Sequence, residues 1–199
     1  YTGWYTLSLH DALPICFNPD PVLFYEISRD GEYEIEIRDS IYRGREDFVY
    51  RIVVSEQPFL TRIFPLGGRE GTETVASVGG YNLAGDRLKL DTRAGGGDVR
   101  WVATRRGDLM SNVVPYAVDT LPECVEDEPN DAGDAAQRVA MPTIVNGRIA
   151  RPGDADTFEF EGRAGDEVVA EVCARRLYSP LDSLLRLADA SGQIVAWND

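Results

Sequence analysis

The chain has 199 residues, of which 34 are acidic and 20 basic, so its formal charge is −14. Hydrophobic residues make up 43%, which suffices for a packed core, yet no apolar run approaches the roughly 18 residues of a membrane-spanning helix. The excess of negative charge opposes binding to a phosphate backbone, so we expect no nucleic-acid partner. The length allows one or two domains of ordinary size.

The first residues of the chain are expected to be non-native. Residues 5–15 read Tyr-Thr-Leu-Ser-Leu-His-Asp-Ala-Leu-Pro-Ile, which resembles the translation of a common short-read sequencing adaptor. A signal-peptide remnant would need a basic start and a longer apolar stretch, and neither is present. We therefore interpret residues 1–16 as adaptor-derived, which sets aside His10, the single histidine, and Cys16. Native sequence, including any export signal, is expected upstream.

Alternating apolar and polar residues predict strands in residues 17–57. Glu32–Arg38 alternates strictly, with one Tyr and two Ile on one face and three Glu on the other. This pattern is typical of a strand with one face on a core and one in water. Two further strands are predicted in the same segment, at Val22–Ile27 and Asp47–Val54.

The rest of the chain continues this pattern, and no stretch of about 11 residues carries the i, i+3, i+4, i+7 stripe of an amphipathic helix. Gly (19 residues) and Pro (11 residues) interrupt the strands at the spacing of sandwiches and barrels. We therefore predict an all-β chain. Its remaining predicted strands are Thr72–Val78, Arg87–Leu90, Val99–Thr104, Asn112–Val118, Thr143–Ile149, Thr157–Phe160, Glu167–Cys173, Leu184–Ala188 and Gln193–Trp197.

Residues 121–199 carry several motifs in a fixed order. These are Glu126-Asp127-Glu128-Pro129-Asn130-Asp131, Asn146-Gly147-Arg148-Ile149, Gly153-Asp154-Ala155-Asp156-Thr157-Phe158 and Ser179-Pro180-Leu181-Asp182-Ser183. In this order they resemble the bacterial pre-peptidase C-terminal domain, which is similar to the collagen-binding domains of clostridial collagenases. The resemblance implies a jelly-roll-like β-sandwich, of which residues 121–199 would be the N-terminal part.

The other two segments also resemble known modules. Residues 17–57 are similar to the C-terminal part of the same sandwich, through Asp20-Pro21-Val22-Leu23, Asp30-Gly31-Glu32-Tyr33 and Asp47-Phe48-Val49-Tyr50-Arg51. Residues 58–120 resemble a small immunoglobulin-like module of the IPT/TIG type, through Pro65, Gly68, Gly71-Thr72 and Asn82-Leu83. Because head and tail come from one fold, we predict that residues 17–55 pack against 143–199 in a composite sandwich. Such strings of modules resemble the large exported proteins of planctomycete-like bacteria.

Oxygen-donor side chains are concentrated in the acidic run Glu126–Asp131, where Glu126, Glu128, Asn130 and Asp131 lie within six residues. Hard cations such as Ca²⁺ prefer several carboxylate and carbonyl oxygens that converge from flexible loops. The resemblance to collagen-binding domains implies a structural calcium ion held by this run and by a later turn. The implied ligands are Glu126, Glu128, Asn130, Asp131, Asp154 and, as a further candidate, Asp156. The alternative is a solvated acidic linker that needs no metal.

Two cysteines, Cys124 and Cys173, remain once residues 1–16 are set aside. In an exported protein they could form a disulfide, but Cys173 also fits as a small buried residue in its predicted strand. Two thiols without a native histidine are too few soft ligands for zinc.

Catalysis is not expected. Without a native histidine neither a Ser/His/Asp nor a Cys/His set can form, and the resembled families are non-catalytic accessories. A glycosidase-like pair of carboxylates remains compatible with the composition, although nothing marks one as flanking a cleft.

The leading hypothesis is therefore a non-catalytic fragment of an exported modular protein, located outside the cell, on its surface or in a periplasm. Its β-sandwich modules would serve binding, spacing or secretion, stiffened by calcium. The alternative is an accessory module that binds a collagen-like or polysaccharide substrate for a secreted peptidase or other hydrolase in the same parent chain. An exposed aromatic face would favour the alternative, and its candidate residues are Trp101, Trp197, Tyr25, Tyr42, Tyr50 and Tyr178.

Overall fold

The computed structural model describes residues 20–131 and 135–199, so the adaptor-like segment 1–16, with His10 and Cys16, lies outside the described residues. The chain divides into two compact units between Glu56 and Gln57. Helical structure in the described residues is limited to short 3-10 turns such as Arg175–Leu177, which confirms the all-β prediction. Among the described residues there is no helix with the length and hydropathy of a membrane-spanning segment.

The described strands are numbered β1 to β14 and all lie in the unit formed by residues 57–199. They are β1 Phe59–Phe64, β2 Gly67–Arg69, β3 Thr74–Tyr81, β4 Arg87–Leu90, β5 Val99–Val102, β6 Arg105–Arg106, β7 Leu109–Met110, β8 Val114–Asp119, β9 Glu123–Val125, β10 Gln137–Arg138, β11 Ile144–Asn146, β12 Phe158–Glu159, β13 Leu185–Ala188 and β14 Ile194–Asn198.

Two three-stranded sheets share one core in residues 59–119. One sheet has the antiparallel order β1-β3-β4, and the other has the order β2-β8-β5, in which β2 is parallel and β5 antiparallel to β8. Apolar residues from β1, β3, β4 and β8 fill the space between them, as in a small sandwich. The buried core residues are Leu60, Ile63, Ala76, Val78, Leu90, Val114, Tyr116 and Val118.

Residues 121–199 form two-stranded pairs: β9 with β11 and β10 with β12, both parallel, and β13 with β14, antiparallel. The strand predicted at Glu167–Cys173 is not formed, and Val169 within it is 91% exposed. The prediction was wrong because apolar alternation selects a face but does not supply the neighbouring strand that must pair the backbone groups.

Several contacts in the described part of the chain join residues 121–199 to the sandwich core within the same unit. The Leu66 backbone N–H donates to Asn146 Oδ1 at 2.9 Å, and the Arg148 guanidinium lies 3.7 Å from the Phe64 ring centroid. The 3-10 turn Arg175–Leu177 packs beside β8. These contacts hold the acidic run that follows β9 close to the core sandwich.

The unit formed by residues 20–56 carries no strand in the structure, so the strands predicted at Val22–Ile27, Glu32–Arg38 and Asp47–Val54 are not formed. Ile35, on the apolar face of the second of these segments, is 53% exposed. Every sheet in the described residues is built from strands between residues 59 and 198. The described residues therefore form no shared sheet of the predicted composite sandwich, and the packing of residues 17–55 against 143–199 stays a prediction.

Candidate metal centre

Three carboxylates converge beside β9, β11 and β12. Glu126 and Glu128 follow β9, while Asp156 lies two residues before β12. Each offers one oxygen, and these oxygens all lie within 4.8 Å of one another. Three negative groups at this separation repel one another unless a cation or a proton intervenes.

Backbone hydrogen bonds bring these segments together. The Glu126 N–H donates to the Asn146 carbonyl oxygen at 2.9 Å, which continues the parallel pairing of β9 with β11. The Arg148 N–H then donates to Glu126 Oε2 at 2.7 Å. On the other side, the Thr157 N–H donates to the Asn130 carbonyl oxygen at 3.0 Å, which fixes the Asp156 turn against the acidic run.

Gly147 leaves space for two of the three carboxylates, because it has no side chain. A Cβ atom at this position would lie 2.7 Å from Glu126 Oε2 and 2.8 Å from Asp156 Oδ2. Any larger residue would therefore push at least one of these oxygens away. A glycine at this position therefore permits both carboxylates to approach the backbone closely.

Asp156 is the most perturbed member of the cluster. Its Oδ1 atom is buried and has no hydrogen-bond partner among the described residues. Burial, and next the negative charge of Glu126, raise the pKa of Asp156 to about 6. None of the ion pairs formed within the described ranges involves Asp156, Glu126 or Glu128.

Asn130 adds a second unusual feature to the same run. The residue is 0% exposed, and neither its side-chain Oδ1 nor its Nδ2 has a hydrogen-bond partner in the described part of the chain. Its backbone N–H donates to Glu128 Oε2 at 3.0 Å, which ties it to the cluster. Because a buried unpaired polar group costs about 1–3 kcal/mol, this amide marks a position where a ligand would be favourable.

Asp131 and Asp154 form a different group. Arg151 Nη2 lies 2.8 Å from Asp131 Oδ2, and Arg151 Nε lies 3.5 Å from Asp154 Oδ1. Asp154 Oδ2 also accepts the Ala150 N–H, and this bond, together with Asp131 and the Arg151 charge, lowers the pKa of Asp154. The chain thus supplies its own cation to these two carboxylates.

Of the six predicted ligands, the structure therefore brings together Glu126, Glu128 and Asp156 and buries Asn130 beside them. Sequence reasoning missed Gly147 and Arg151. Gly147 was visible only as part of the Asn146-Gly147-Arg148 motif, since nothing in the sequence places it between two carboxylates. The donors are all oxygens, the ligand type that fits Ca²⁺.

The other candidate residues are not members of this cluster. Cys124 is half-buried and Cys173 exposed, and both are free thiols, so neither the disulfide nor the buried strand position of Cys173 is formed. Trp101 and Tyr178 form an edge-to-face pair with ring centroids 5.6 Å apart. Trp197 is 66% exposed on β14.

Comparison with known proteins gives a partial relative. The chain is 35% identical over 102 residues to a probable subtilase-type serine protease of Deinococcus radiodurans. The matched part covers 47% of this chain and 14% of the relative, so the chain corresponds to a small part of that protein. No family model matches the chain, and no solved structure matches it.

Proposed function

We propose that the chain is a non-catalytic accessory part of an exported protein that also contains a peptidase domain, and that calcium stiffens it. The partial match to a subtilase-type serine protease supports the link to a peptidase. The pre-peptidase motifs of residues 121–199 agree with that match and support export. The all-β architecture of the described residues is the kind that such accessory modules have.

One observation carries the calcium part of the proposal: three carboxylate oxygens lie within 4.8 Å without an ion pair in the described chain. Glu126, Glu128 and Asp156 would hold the ion, with Asn130 supplying its amide oxygen. Bound calcium supplies positive charge and accepts these oxygens as ligands. The site would remove the mutual repulsion of the carboxylates and give Asp156 Oδ1 a partner.

The same residues connect the site to the core sandwich. Glu126 Oε2 accepts the Arg148 N–H, and the Arg148 guanidinium covers the Phe64 ring. Nearby, Asn146 Oδ1 accepts the Leu66 N–H, and Asn146 Nδ2 donates to Glu123 Oε1 at 2.6 Å. Fixing Glu126 would therefore restrain the segment that joins residues 121–199 to residues 58–120, and binding energy would add to folding.

A second candidate function is substrate binding for the parent hydrolase, with a collagen-like, other polypeptide or polysaccharide ligand. The observation that favours it is the pair formed by Trp101 and Tyr178, which are 52% and 43% exposed. Exposed aromatic pairs bury large area at low entropic cost when a ligand covers them. The two candidates are compatible, because the pair and the carboxylate cluster use different residues.

Chelation tests the calcium-stiffened function. The melting temperature of the full chain is measured in excess calcium and in EGTA, for the wild type, Asp156→Asn and Asp108→Asn. The last variant removes the same charge from an exposed turn outside the cluster. Calcium at about 100 times its dissociation constant should stabilise the wild type and Asp108→Asn by about 2.7 kcal/mol. Asp156→Asn should respond little, and equal melting in both conditions for the wild type would rule out the site.

A further inference from the structure

Strand β5 lies at the edge of its sheet. The strand order is β2-β8-β5, so β5 pairs with β8 on one side only. Val99 and Trp101 are 49% and 52% exposed. An exposed edge strand presents unpaired backbone groups that can accept a further strand.

The register shows which backbone groups face outwards. Val118 N donates to the Asp98 carbonyl oxygen at 2.8 Å, and Arg100 lies opposite Tyr116 in the same antiparallel register. Hydrogen-bonded and non-hydrogen-bonded pairs alternate along an antiparallel ladder. The N–H and C=O groups of Val99 and Trp101 therefore point away from β8, towards the open edge.

An aromatic pair stands on the outer face beside this edge. Trp101 lies opposite Pro115, which is fully buried, and its ring meets the Tyr178 ring at an interplanar angle of 71°. Directly opposite residues in a sheet place their side chains on the same face. The pair is thus backed by the sheet and remains open to solvent on its other side.

The position of Tyr178 is maintained against its backbone preference. Tyr178 has φ 63° and ψ 18°, a left-handed conformation that is uncommon for a bulky residue. It is held there by its N–H, which donates to the Arg175 carbonyl oxygen at 3.1 Å, and by the buried neighbour Leu177. Strain of this kind is concentrated at binding sites, where it fixes a group before the ligand arrives.

We propose that an extended polypeptide segment adds to the open edge of β5 as a further strand, with its side chains against Trp101 and Tyr178. Main-chain hydrogen bonds to Val99 and Trp101 give the affinity, and the aromatic pair selects apolar side chains. A polysaccharide could cover the rings but would not match alternating N–H and C=O groups at strand spacing. The net charge of −14 favours segments that carry Lys or Arg.

The identification of the ligand as a substrate of the parent peptidase rests on the proposed function, whereas the docking mode rests on β5 itself. The probe is therefore a synthetic hexapeptide that alternates Lys and Val and carries a fluorescein label. Its binding to the full chain is followed by fluorescence anisotropy. Two further peptides of the same sequence are N-methylated on every second backbone amide. One carries the methyl groups on one alternating set of amides, and the other carries them on the complementary set.

A strand offers only every second amide to a given neighbour. One N-methylated peptide should therefore lose at least about tenfold in affinity, the loss expected when the main-chain contacts of a strand addition are blocked, and the other should bind like the parent. Equal binding of both methylated peptides would mean attraction by charge or apolar contact alone and would overturn the proposal.

Variants test the aromatic pair. Trp101→Ala should weaken peptide binding by about tenfold or more, because the bound peptide would bury this ring and truncation of buried aromatic anchors has effects of this size. Tyr178→Gly should weaken binding similarly while the melting temperature stays level or rises, because glycine adopts positive φ without strain. Trp197→Ala is the matched control and should bind normally, since this exposed tryptophan lies on β14. Unchanged binding in Tyr178→Gly, or Trp101-dependent binding of cellohexaose without peptide binding, would overturn the proposal.

The titrations are repeated in calcium and in EGTA, so that the two proposals fail separately. Calcium-dependent melting without peptide binding would contradict only the proposal for β5. The chain could instead bind the peptide with the expected methylation pattern while its melting temperature does not change with calcium. This result would contradict the calcium site and leave the β5 edge supported.

Discussion

Two acidic groups lie within a few residues of each other and behave differently. In the first, Glu126, Glu128 and Asp156 converge without an ion pair in the described chain, and burial with the neighbouring charge raises the pKa of Asp156. In the second, Asp131 and Asp154 share the guanidinium of one arginine, and the pKa of Asp154 is lowered. Both groups have the same residue types, so composition does not distinguish them.

The difference lies in whether the fold supplies a cation. The group with the arginine is complete as folded, and its carboxylates serve the geometry of the turn. The cluster without a cation retains repulsion that a divalent ion would relieve, and it lies next to an amide that has no partner. A site for a cation is therefore recognised by missing neutralisation rather than by the number of acidic residues.

The largest effect is expected from the buried amide. Asn130→Leu replaces the unpaired side chain with an apolar group of similar shape, so in EGTA it should raise the free energy of unfolding by about 1–3 kcal/mol. In saturating calcium this advantage over the wild type should disappear, because the variant lacks the amide oxygen. Urea unfolding in both conditions measures the effect. A loss of stability in EGTA would mean that Asn130 is already satisfied.

Gly147→Ala tests the geometry of the cluster without changing its charge. The added Cβ would collide with Glu126 Oε2 and Asp156 Oδ2, so the dissociation constant for calcium should rise by at least about tenfold, or about 1.4 kcal/mol. The control is Gly162→Ala, since a Cβ at Gly162 meets no atom within 4 Å. If both variants bind calcium like the wild type, the two carboxylates do not share an ion.

The pH dependence of the metal-free chain follows from Asp156. Its folded pKa of about 6 lies above the usual aspartate value, so the folded state binds the proton more tightly and stability falls as pH rises towards 6. Lowering the pH from 7 to 5 in EGTA should stabilise the wild type relative to Asp156→Asn by about 1 kcal/mol, once solvent screening is allowed for. Urea unfolding at both pH values measures it, and parallel pH profiles would contradict the assignment.

The smallest effect concerns the neutralised group. Arg151→Gln removes the cation shared by Asp131 and Asp154, which makes the surroundings of the cluster more negative. The calcium affinity should rise by about two- to threefold at low ionic strength, and salt should suppress the gain. Arg163→Gln, which removes the same charge from an exposed loop residue, is the comparison variant. An equal change in both variants would show that only net charge matters.

Alternation in the sequence predicted much of the fold where the partner strands lie nearby. Thr72–Val78 and Asn112–Val118 correspond to β3 and β8, and both contribute to the core. Glu32–Arg38 alternates more strictly than either, yet it forms no strand in the structure. Alternation identifies the apolar face, whereas strand formation requires a neighbour whose position depends on the tertiary fold.

The acidic run and the later turn were visible in the sequence, but their division into two groups was not. The resemblance favoured Asp154 as the ligand from the turn, whereas the structure pairs Asp154 with Arg151 and places Asp156 near the two glutamates. Asp154 and Asp156 are only two residues apart, yet their carboxylates belong to different groups. Burial of Asn130 and the close approach at Gly147 are likewise tertiary features.

Isothermal titration of calcium into the full chain at pH 7 tests the central claim most directly, with Asp156→Asn and Asp154→Asn alongside. The cluster of Glu126, Glu128 and Asp156 predicts a calcium ion bound to the wild type, a loss of at least about tenfold in affinity for Asp156→Asn, and a smaller change for Asp154→Asn. An absence of binding heat in the wild type, or a greater loss in Asp154→Asn than in Asp156→Asn, would contradict it.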